Sequence, residues 1–217
     1  MLKKIYVFLL LFLILFSTSY IKANTLPLFG KVIYIDPGHG GLDPGAIYAG
    51  VMEKDINLEI SKKIEEKLTS LGAIVYLTRY GDYDLSVINT NNRKRSDLSR
   101  RANIINRSNC DIYLSIHLNA EDTGTWRGAQ VFYNSNLKEN KKIALIFQKS
   151  FKKYLNTKRK IKIDNNLYLE KRVKKPGILL ELGFLSNNSE RYLLKNNTYQ
   201  KKIVDVISNS LITYFNT

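Results

Sequence analysis

The stretch VIYIDPGHGGLDPGA, residues 32–46, combines an apolar run with a glycine-rich turn that contains a histidine. It opens on four β-branched or aromatic residues, which predict a buried strand, and this strand stops at Asp36-Pro37-Gly38. His39 follows between glycines, although the whole chain has only two histidines. Ligands of an open α/β sheet bind outside the carboxyl ends of its strands, so the position of His39 predicts a ligand site there.

Strand and helix patterns alternate along the rest of the chain. Ile56, Ile60, Ile64 and Leu68 form an apolar stripe, which predicts an amphipathic helix that ends at Gly72. The alternation predicts an α/β fold, a single three-layer domain with a mostly parallel, twisted sheet flanked by helices. The predicted strands are residues 31–35, 74–78, 111–116, 129–133 and 177–182; the predicted helices are residues 53–71, 96–109, 138–155 and 199–215; and residues 80–92 are predicted to form a loop.

The composition is that of an ordinary globular protein. The 217 residues are 44% hydrophobic and 24% charged, which excludes wholesale disorder. A single cysteine, Cys110, excludes an internal disulfide and any cysteine-based metal motif. Because Cys110 adjoins a predicted strand, we expect it to be a small buried hydrophobe.

Positive charge is concentrated in one segment of a chain whose net charge is +15. Residues 138–175 contain 14 Lys and Arg against three acidic residues, a net charge of +11. Such a segment attracts polyanions such as anionic cell-wall polymers, although a solvated lysine-rich surface has the same composition. The chain has no zinc-finger cysteines and no aromatic RNA-binding motif, so nucleic acid is not an expected partner.

Residues 1–24 have the pattern of an export segment. Two lysines precede an apolar run at residues 5–16, and small and polar residues follow as far as Ala23. The pattern fits a cleaved signal peptide or an N-terminal membrane anchor, and in both cases residues 25–217 are exported. With one cysteine, the exported domain is expected to act at a bacterial wall or envelope, outside the cytoplasm.

Four chemically suited side chains are predicted to lie at one edge of the sheet. His117 follows the predicted strand at 112–116, Glu181 ends the apolar run at 177–180, and Glu53 opens the first helix. Two histidines and a carboxylate with an open fourth position are a ligand set of catalytic zinc sites. A second carboxylate nearby is suited to act as a general base.

Each of these residues also has a purely structural interpretation. His39 suits a turn with unusual backbone angles, His117 a satisfied core position, and Glu53 the positive end of a helix dipole. Glu181 suits a buried ion pair. The glycines around His39 also suggest a dinucleotide loop, but Asp43 stands where that fingerprint requires Gly or Ala.

Four motifs resemble, in order, those of the zinc-dependent N-acetylmuramoyl-L-alanine amidases, which hydrolyse bacterial peptidoglycan. The motifs are IDPGHGG at 35–41, MEKD at 52–55, SIHLNA at 115–120 and LELGFLSN at 180–187. The resemblance extends from about residue 26 to the C-terminus. It implies one Zn²⁺ held by His39, Glu53 and His117. It also implies that the enzyme hydrolyses the amide between N-acetylmuramic acid and L-alanine, with Glu181 as the general base.

The resemblance is strongest to the single-domain sporulation type, which takes part in forming muramic δ-lactam in the spore cortex. Asn119 and Arg101 are then expected to contact substrate or to support the site, and Asp36 to cap its turn or to orient a histidine. An activating protein partner remains an open expectation. Two rival functions use the same residues: a zinc exopeptidase that acts on wall peptides, and a non-catalytic wall-binding module.

Overall fold

A computed structural model describes residues 26–217, so the predicted export segment at 1–24 lies outside the described residues. The strands are β1 (Val32–Pro37), β2 (Ile47–Tyr48), β3 (Val51–Met52), β4 (Ile74–Leu77), β5 (Ile112–Asn119), β6 (Gln130–Tyr133), β7 (Lys162–Ile163) and β8 (Gly177–Phe184). The helices are α1 (Glu53–Ser70), α2 (Arg93–Arg107), α3 (Lys138–Tyr154), α4 (Tyr168–Arg172), α5 (Asn188–Leu194) and α6 (Asn197–Phe215).

The main sheet has six strands in the order β4-β1-β5-β8-β6-β7. The first four are parallel to one another, whereas β6 pairs antiparallel with β8 and parallel with β7. Strands β2 and β3 form a separate hairpin just before α1. The predicted mostly parallel sheet is therefore confirmed.

Helices cover both faces of the sheet. Helices α1, α3 and α6 pack on one face around the large apolar core, to which Ile60, Phe147 and Ile207 contribute. On the other face α2 and α4 enclose a smaller cluster that contains Ile105, Tyr113 and Leu169. This arrangement confirms the predicted three-layer α/β fold.

Helix α1 shows how the sequence pattern positions the site. Its predicted stripe is fully or almost fully buried against the sheet, with Ile60, Ile64 and Leu68 at 0% exposure. The helix ends before Gly72, whose φ of +92° lies in the left-handed region. Burial of the stripe fixes the rotation of α1 about its axis, and this rotation turns Glu53, at its first residue, towards the sheet.

Several boundaries differ from the predicted ones. Strands β5 and β8 extend past residues 116 and 182, because their pairing continues beyond an irregularity between His117 and Asn119. Helix α2 begins at Arg93 and not at residue 96, since the Asn92 side chain caps it by accepting from Arg95 N. The short elements β2, β3, β7, α4 and α5 have too few residues to show a periodicity, and the sequence did not reveal them.

The remaining sequence features fall on the surface or in the core as follows. Cys110 is buried and free, as predicted. All Lys and Arg of the basic segment 138–175 are exposed except Arg159 and Lys175, which are half-buried. Within residues 26–217, none of the helices combines the length and the apolar character needed to span a bilayer.

Candidate metal centre and active site

The turn after β1 presents His39 to the site. His39 has a φ of 63°, in the left-handed region that a histidine adopts only when its surroundings require it. Gly38 is needed beside it, because a Cβ at this position would collide with the ring of His117. The structural interpretation of His39 as a turn residue is therefore correct for its backbone, and its side chain points to the other site residues.

Three side chains converge at the carboxyl edge of the sheet. Glu53 Oε1 lies 3.2 Å from His39 Nε2 and 3.0 Å from His117 Nδ1. The ligand atoms of the three residues all lie within 4.8 Å of one another. Two imidazole nitrogens and a carboxylate oxygen in this arrangement fit three positions of a tetrahedral zinc site, so these residues are suited to hold the ion.

Hydrogen bonds from the surrounding backbone fix the Glu53 carboxylate. Oε1 accepts from Leu118 N at 3.0 Å, and Oε2 accepts from Ala46 N at 3.0 Å. Asn57, one turn further along α1, donates its side-chain amide to Oε1 at 3.2 Å. The carboxylate is held in place before any ion binds, as preorganised metal sites require.

Asp43 is a member of the site that the sequence analysis assigned no role. Its Oδ2 lies 2.9 Å from His39 Nδ1, and its Oδ1 accepts from Gly45 N at 3.1 Å. A carboxylate that accepts from one ring nitrogen places the proton there and leaves the other nitrogen free to bind metal. Asp43 thus leaves Nε2 of His39 as the nitrogen available to a metal ion, and its spacing four residues after the histidine was the available signal.

The charges of the cluster stabilise one another. Burial opposes protonation of His39, yet hydrogen bonds to Asp43 and Glu53 raise its pKa to about 9. The hydrogen bond to His39 lowers the pKa of Asp43 to about 2 against the effect of burial. Burial would raise the pKa of Glu53, but the two histidines hold it well below its ordinary value. The acidic groups keep their charge, which favours a cation at this point.

We expect Asp43→Asn to weaken zinc binding by about 10- to 100-fold, the usual effect of removing a second-sphere carboxylate. Asn keeps an oxygen for Gly45 N but has no second acceptor for His39 Nδ1. The measurement is competition with a chromophoric chelator, and Asp55→Asn, at an exposed position of α1, is the matched control. Unchanged zinc affinity in Asp43→Asn would show that His39 does not need this partner.

Glu181 lies beside the cluster of His39, Glu53 and His117. It is in register with His117 on the neighbouring strand β5. Its Oε2 atom is buried and has no hydrogen-bond partner among residues 26–217, in contrast to both oxygens of Glu53. Burial, together with the charge of Glu53, raises the pKa of Glu181 to about 8. The proton affinity of Glu181 is therefore raised into the pH range in which general acids and bases work.

Arg101 supports the site from the protein interior, which is one of the two roles expected from the sequence, and its substrate contact stays a proposal. It is 1% exposed and pairs with the buried Asp36 at 3.0 Å and with Asp97 at 2.9 Å. Its guanidinium also donates to the carbonyl oxygens of Pro37 and His39. These bonds hold the backbone on both sides of Gly38, so Arg101 fixes the conformation of the turn that carries His39.

Asp36 neither caps the turn nor contacts a histidine. Its carboxylate accepts from Thr78 Oγ1 at 2.6 Å and from Ser115 Oγ at 2.8 Å, in addition to Arg101. These hydrogen bonds link β1 to Thr78, the residue after β4, and to Ser115 on β5. Asn119 lies half-exposed at the end of β5, where its Oδ1 accepts from Ala120 N, and its expected substrate contact stays a proposal.

A cavity of about 340 Å³ opens beside the two histidines and Glu181. Glu170, on α4, also lines this cavity, although it is only 4% exposed. Within the described part of the chain its Oε1 has no hydrogen-bond partner, and burial raises the pKa of Glu170 to about 7, with a further contribution from Asp36. From the sequence Glu170 is only one acid of the basic segment, because helix α4 is too short for a periodicity that would indicate its buried side.

We expect Glu170→Gln to stabilise the fold above neutral pH. A raised pKa keeps Glu170 protonated in the fold, whereas the unfolded chain ionises above about pH 4.5, so stability falls as pH rises from about 4.5 to 7. The Gln variant has no group that ionises and avoids this loss. Its free energy of unfolding at pH 8 should be higher by up to about 3 kcal/mol, and its Tm by about 5–10 °C. Thermal unfolding at pH 4.5 should show no difference, and a lower Tm at pH 8 would contradict this account.

Known proteins resemble this chain in sequence and in fold. The family model described as N-acetylmuramoyl-L-alanine amidase matches residues 33–213. The germination-specific N-acetylmuramoyl-L-alanine amidase of Bacillus subtilis is 44% identical over 198 residues, which cover 89% of this chain and 84% of that protein.

Solved structures agree with the sequence relatives. The CwlD amidase from Clostridioides difficile, solved in complex with the GerS lipoprotein, superposes with a TM-score of 0.81 at 38% identity over 86% of this chain and 98% of that chain. An N-acetylmuramoyl-L-alanine amidase from Clostridium difficile 630 superposes with a TM-score of 0.77 at 31% identity, over 86% of this chain and 97% of that one. This chain therefore belongs to the N-acetylmuramoyl-L-alanine amidase family, and it is an enzyme that hydrolyses peptidoglycan.

Proposed function

We propose that this chain binds one Zn²⁺ through His39, Glu53 and His117 and uses Glu181 to move the proton in amide hydrolysis. The observation that carries this proposal is the register of Glu181 with His117, which places an unpartnered carboxyl oxygen beside the three convergent ligand atoms. The bond cleaved joins the lactyl carbonyl of N-acetylmuramic acid to the nitrogen of L-alanine.

The side chains divide the chemistry as follows. Bound Zn²⁺ supplies a Lewis acid that polarises the scissile carbonyl and acidifies water. His39 and His117 hold the ion as neutral imidazoles, and Glu53 lowers the charge of the site by one unit. Glu181 accepts the proton of the attacking water and then gives it to the L-alanine nitrogen, because an amine leaves readily only when protonated.

The experiment that tests this proposal is incubation of the purified protein with defined muropeptides, with and without Zn²⁺. We expect mass spectrometry to show intact peptide with a free L-alanine amine and glycan without peptide, only when Zn²⁺ is present. A zinc exopeptidase would instead shorten the peptide from one end. A non-catalytic wall-binding module would leave the muropeptides unchanged.

We further propose that the enzyme acts outside the cytoplasm, in the maturation of spore cortex, with a protein partner. The similarity to the germination-specific amidase supports the role in spore cortex, and the complex of CwlD with the GerS lipoprotein supports a protein partner outside the cytoplasm. Residues 1–24 would then serve as signal peptide or anchor. Gel filtration of this chain with candidate lipoproteins from the same cell tests the partner.

The exposed basic segment 138–175 supports an attraction to anionic wall polymers. We expect retention on purified wall sacculi to fall between low salt and about 0.5 M salt, because exposed charges are screened beyond the Debye length, about 8 Å at physiological ionic strength. Pull-down at both concentrations measures this effect. Equal retention at both would show that the lysines do not contribute.

A further inference from the structure

The side of the active site towards β6 carries a second group of residues that the hydrolysis itself does not use. Glu181 on β8 is in register with His117 on one side and with Gln130 of β6 on the other. Gln130 is half-buried, and its Nε2 donates to the carbonyl of Lys160 at 2.9 Å. A substrate that is held at Glu181 and extends across the sheet towards β6 would therefore pass close to Gln130 and the residues that contact it.

Arg159 is held firmly next to Gln130. Its Nη1 donates to Gln130 Oε1 and its Nε to the carbonyl of Arg127, each at 3.0 Å. The guanidinium lies 4.4 Å from the ring centre of Phe184 and 5.0 Å from that of Trp126. Arg159 thus joins the end of β8 to an aromatic side chain on the loop that follows β5.

That aromatic side chain is Trp126, the only tryptophan of the chain, and it is 56% exposed. Its ring centre lies 6.4 Å from that of the buried Phe184. Phe184 follows Glu181 by three residues, which is about 10 Å along a strand. Trp126 therefore lies beyond the carboxyl end of β5, at the end of the sheet that also carries Glu181.

The loop that carries Trp126 is fixed by hydrogen bonds from both sides. The Glu121 carboxylate accepts from Trp126 N at 3.3 Å and from Thr123 N at 2.8 Å. Asn187 donates to the carbonyl of Gly124 at 2.9 Å, and Glu190 accepts from Gly128 N at 2.8 Å. These bonds hold the backbone of the loop, and the contacts with Arg159 and Phe184 restrict the indole, so that the ring can bind a ligand at low entropic cost.

We propose that Trp126 is a stacking platform for a hexosamine ring of the glycan strand, next to the muramic acid whose amide is cleaved. A pyranose offers a face of C–H groups, which packs on the electron-rich face of an indole. A carboxylate of a stem peptide would pair with the guanidinium of Arg159, 5.0 Å from the ring centre, whereas the flat ring itself offers a surface for a sugar. This inference rests on the proposed function and names the part of the substrate that the rim of the site binds.

The single tryptophan makes binding measurable without turnover. The full chain is titrated with peptide-free glycan oligosaccharides, which lack the scissile amide, and separately with a stem peptide that begins with L-alanine. We expect a saturable change of tryptophan fluorescence with the glycan and none with the peptide. A change with the peptide alone, or with neither ligand, would overturn the proposal.

Variants test the contribution of the ring to affinity. We expect Trp126→Ala to raise the Kd for the glycan, measured by calorimetry, and the KM for muropeptides by about 5- to 10-fold while kcat is kept, and Trp126→Phe to retain most of the affinity. The matched control is Tyr76→Ala, an aromatic residue 47% exposed on β4 at the opposite edge of the sheet.

The two proposals fail in distinguishable ways. If Trp126→Ala binds glycan and muropeptides as the unaltered chain does, the platform is wrong even though hydrolysis proceeds. If the unaltered chain releases no L-alanine amine with Zn²⁺ present, the proposed hydrolysis is wrong whatever the fluorescence titration shows.

Discussion

Replacing Glu181 by Gln is expected to leave zinc bound and the fold intact while turnover falls by about 10²- to 10⁴-fold, the usual contribution of a positioned acid–base group. Gln has nearly the shape of Glu but cannot accept the proton of water. Glu181 is not one of the convergent ligand atoms, so its loss should not release the ion. Muropeptide hydrolysis and metal analysis of the same preparation measure both quantities.

Glu53→Gln is the informative contrast, because it changes the same functional group a short distance away. It removes the charge that pairs with both histidines, so zinc affinity should fall first and activity should return in part at high Zn²⁺. If Glu181→Gln loses zinc while Glu53→Gln retains it, the two roles are exchanged. Full activity of Glu181→Gln would refute the mechanism.

The second large effect is expected from the two histidines. His39→Asn and His117→Gln should lose stoichiometric zinc and at least about 10³-fold in activity together, because a site reduced to two ligands no longer holds the ion. Asn is chosen at position 39 because it tolerates the left-handed backbone, with φ of 63°, that Ala would strain.

Circular dichroism and thermal unfolding of both histidine variants serve as controls for the fold. No other histidine is available in the chain to replace a lost ligand. Metal analysis that finds full zinc occupancy in either variant would show that the ion, if bound, lies elsewhere.

The sequence predicts the fold and the position of the site because both depend on strong local patterns. The apolar run at 32–35 is buried in β1, and the stripe on α1 fixes Glu53 against the sheet. Parallel strands bring their carboxyl ends to one edge, so residues after β1 and near the ends of β5 and β8 come together in space. His39, His117 and Glu181 could therefore be expected to meet.

The roles of other residues depend on three-dimensional neighbours that no local pattern reveals. Arg101 has the charge of a substrate-binding residue, but Asp36 and Asp97 compensate this charge in the interior. Glu170 is followed directly by Lys171 and Arg172, yet the packing of α4 against α2 buries its side chain. Trp126 is the only tryptophan in the sequence, but its contact with Arg159 joins two loops that are far apart in the chain, so only the folded structure shows it.

The measurement that tests the account most directly is a crystal structure of the zinc-loaded protein with anomalous diffraction at the zinc edge. We expect one peak bonded to His39 Nε2, to Glu53 and to His117 at about 2.0–2.2 Å, with Glu181 close by but outside bonding distance. A peak away from these residues, or one in which Glu181 takes the place of Glu53 as a ligand, would contradict the account.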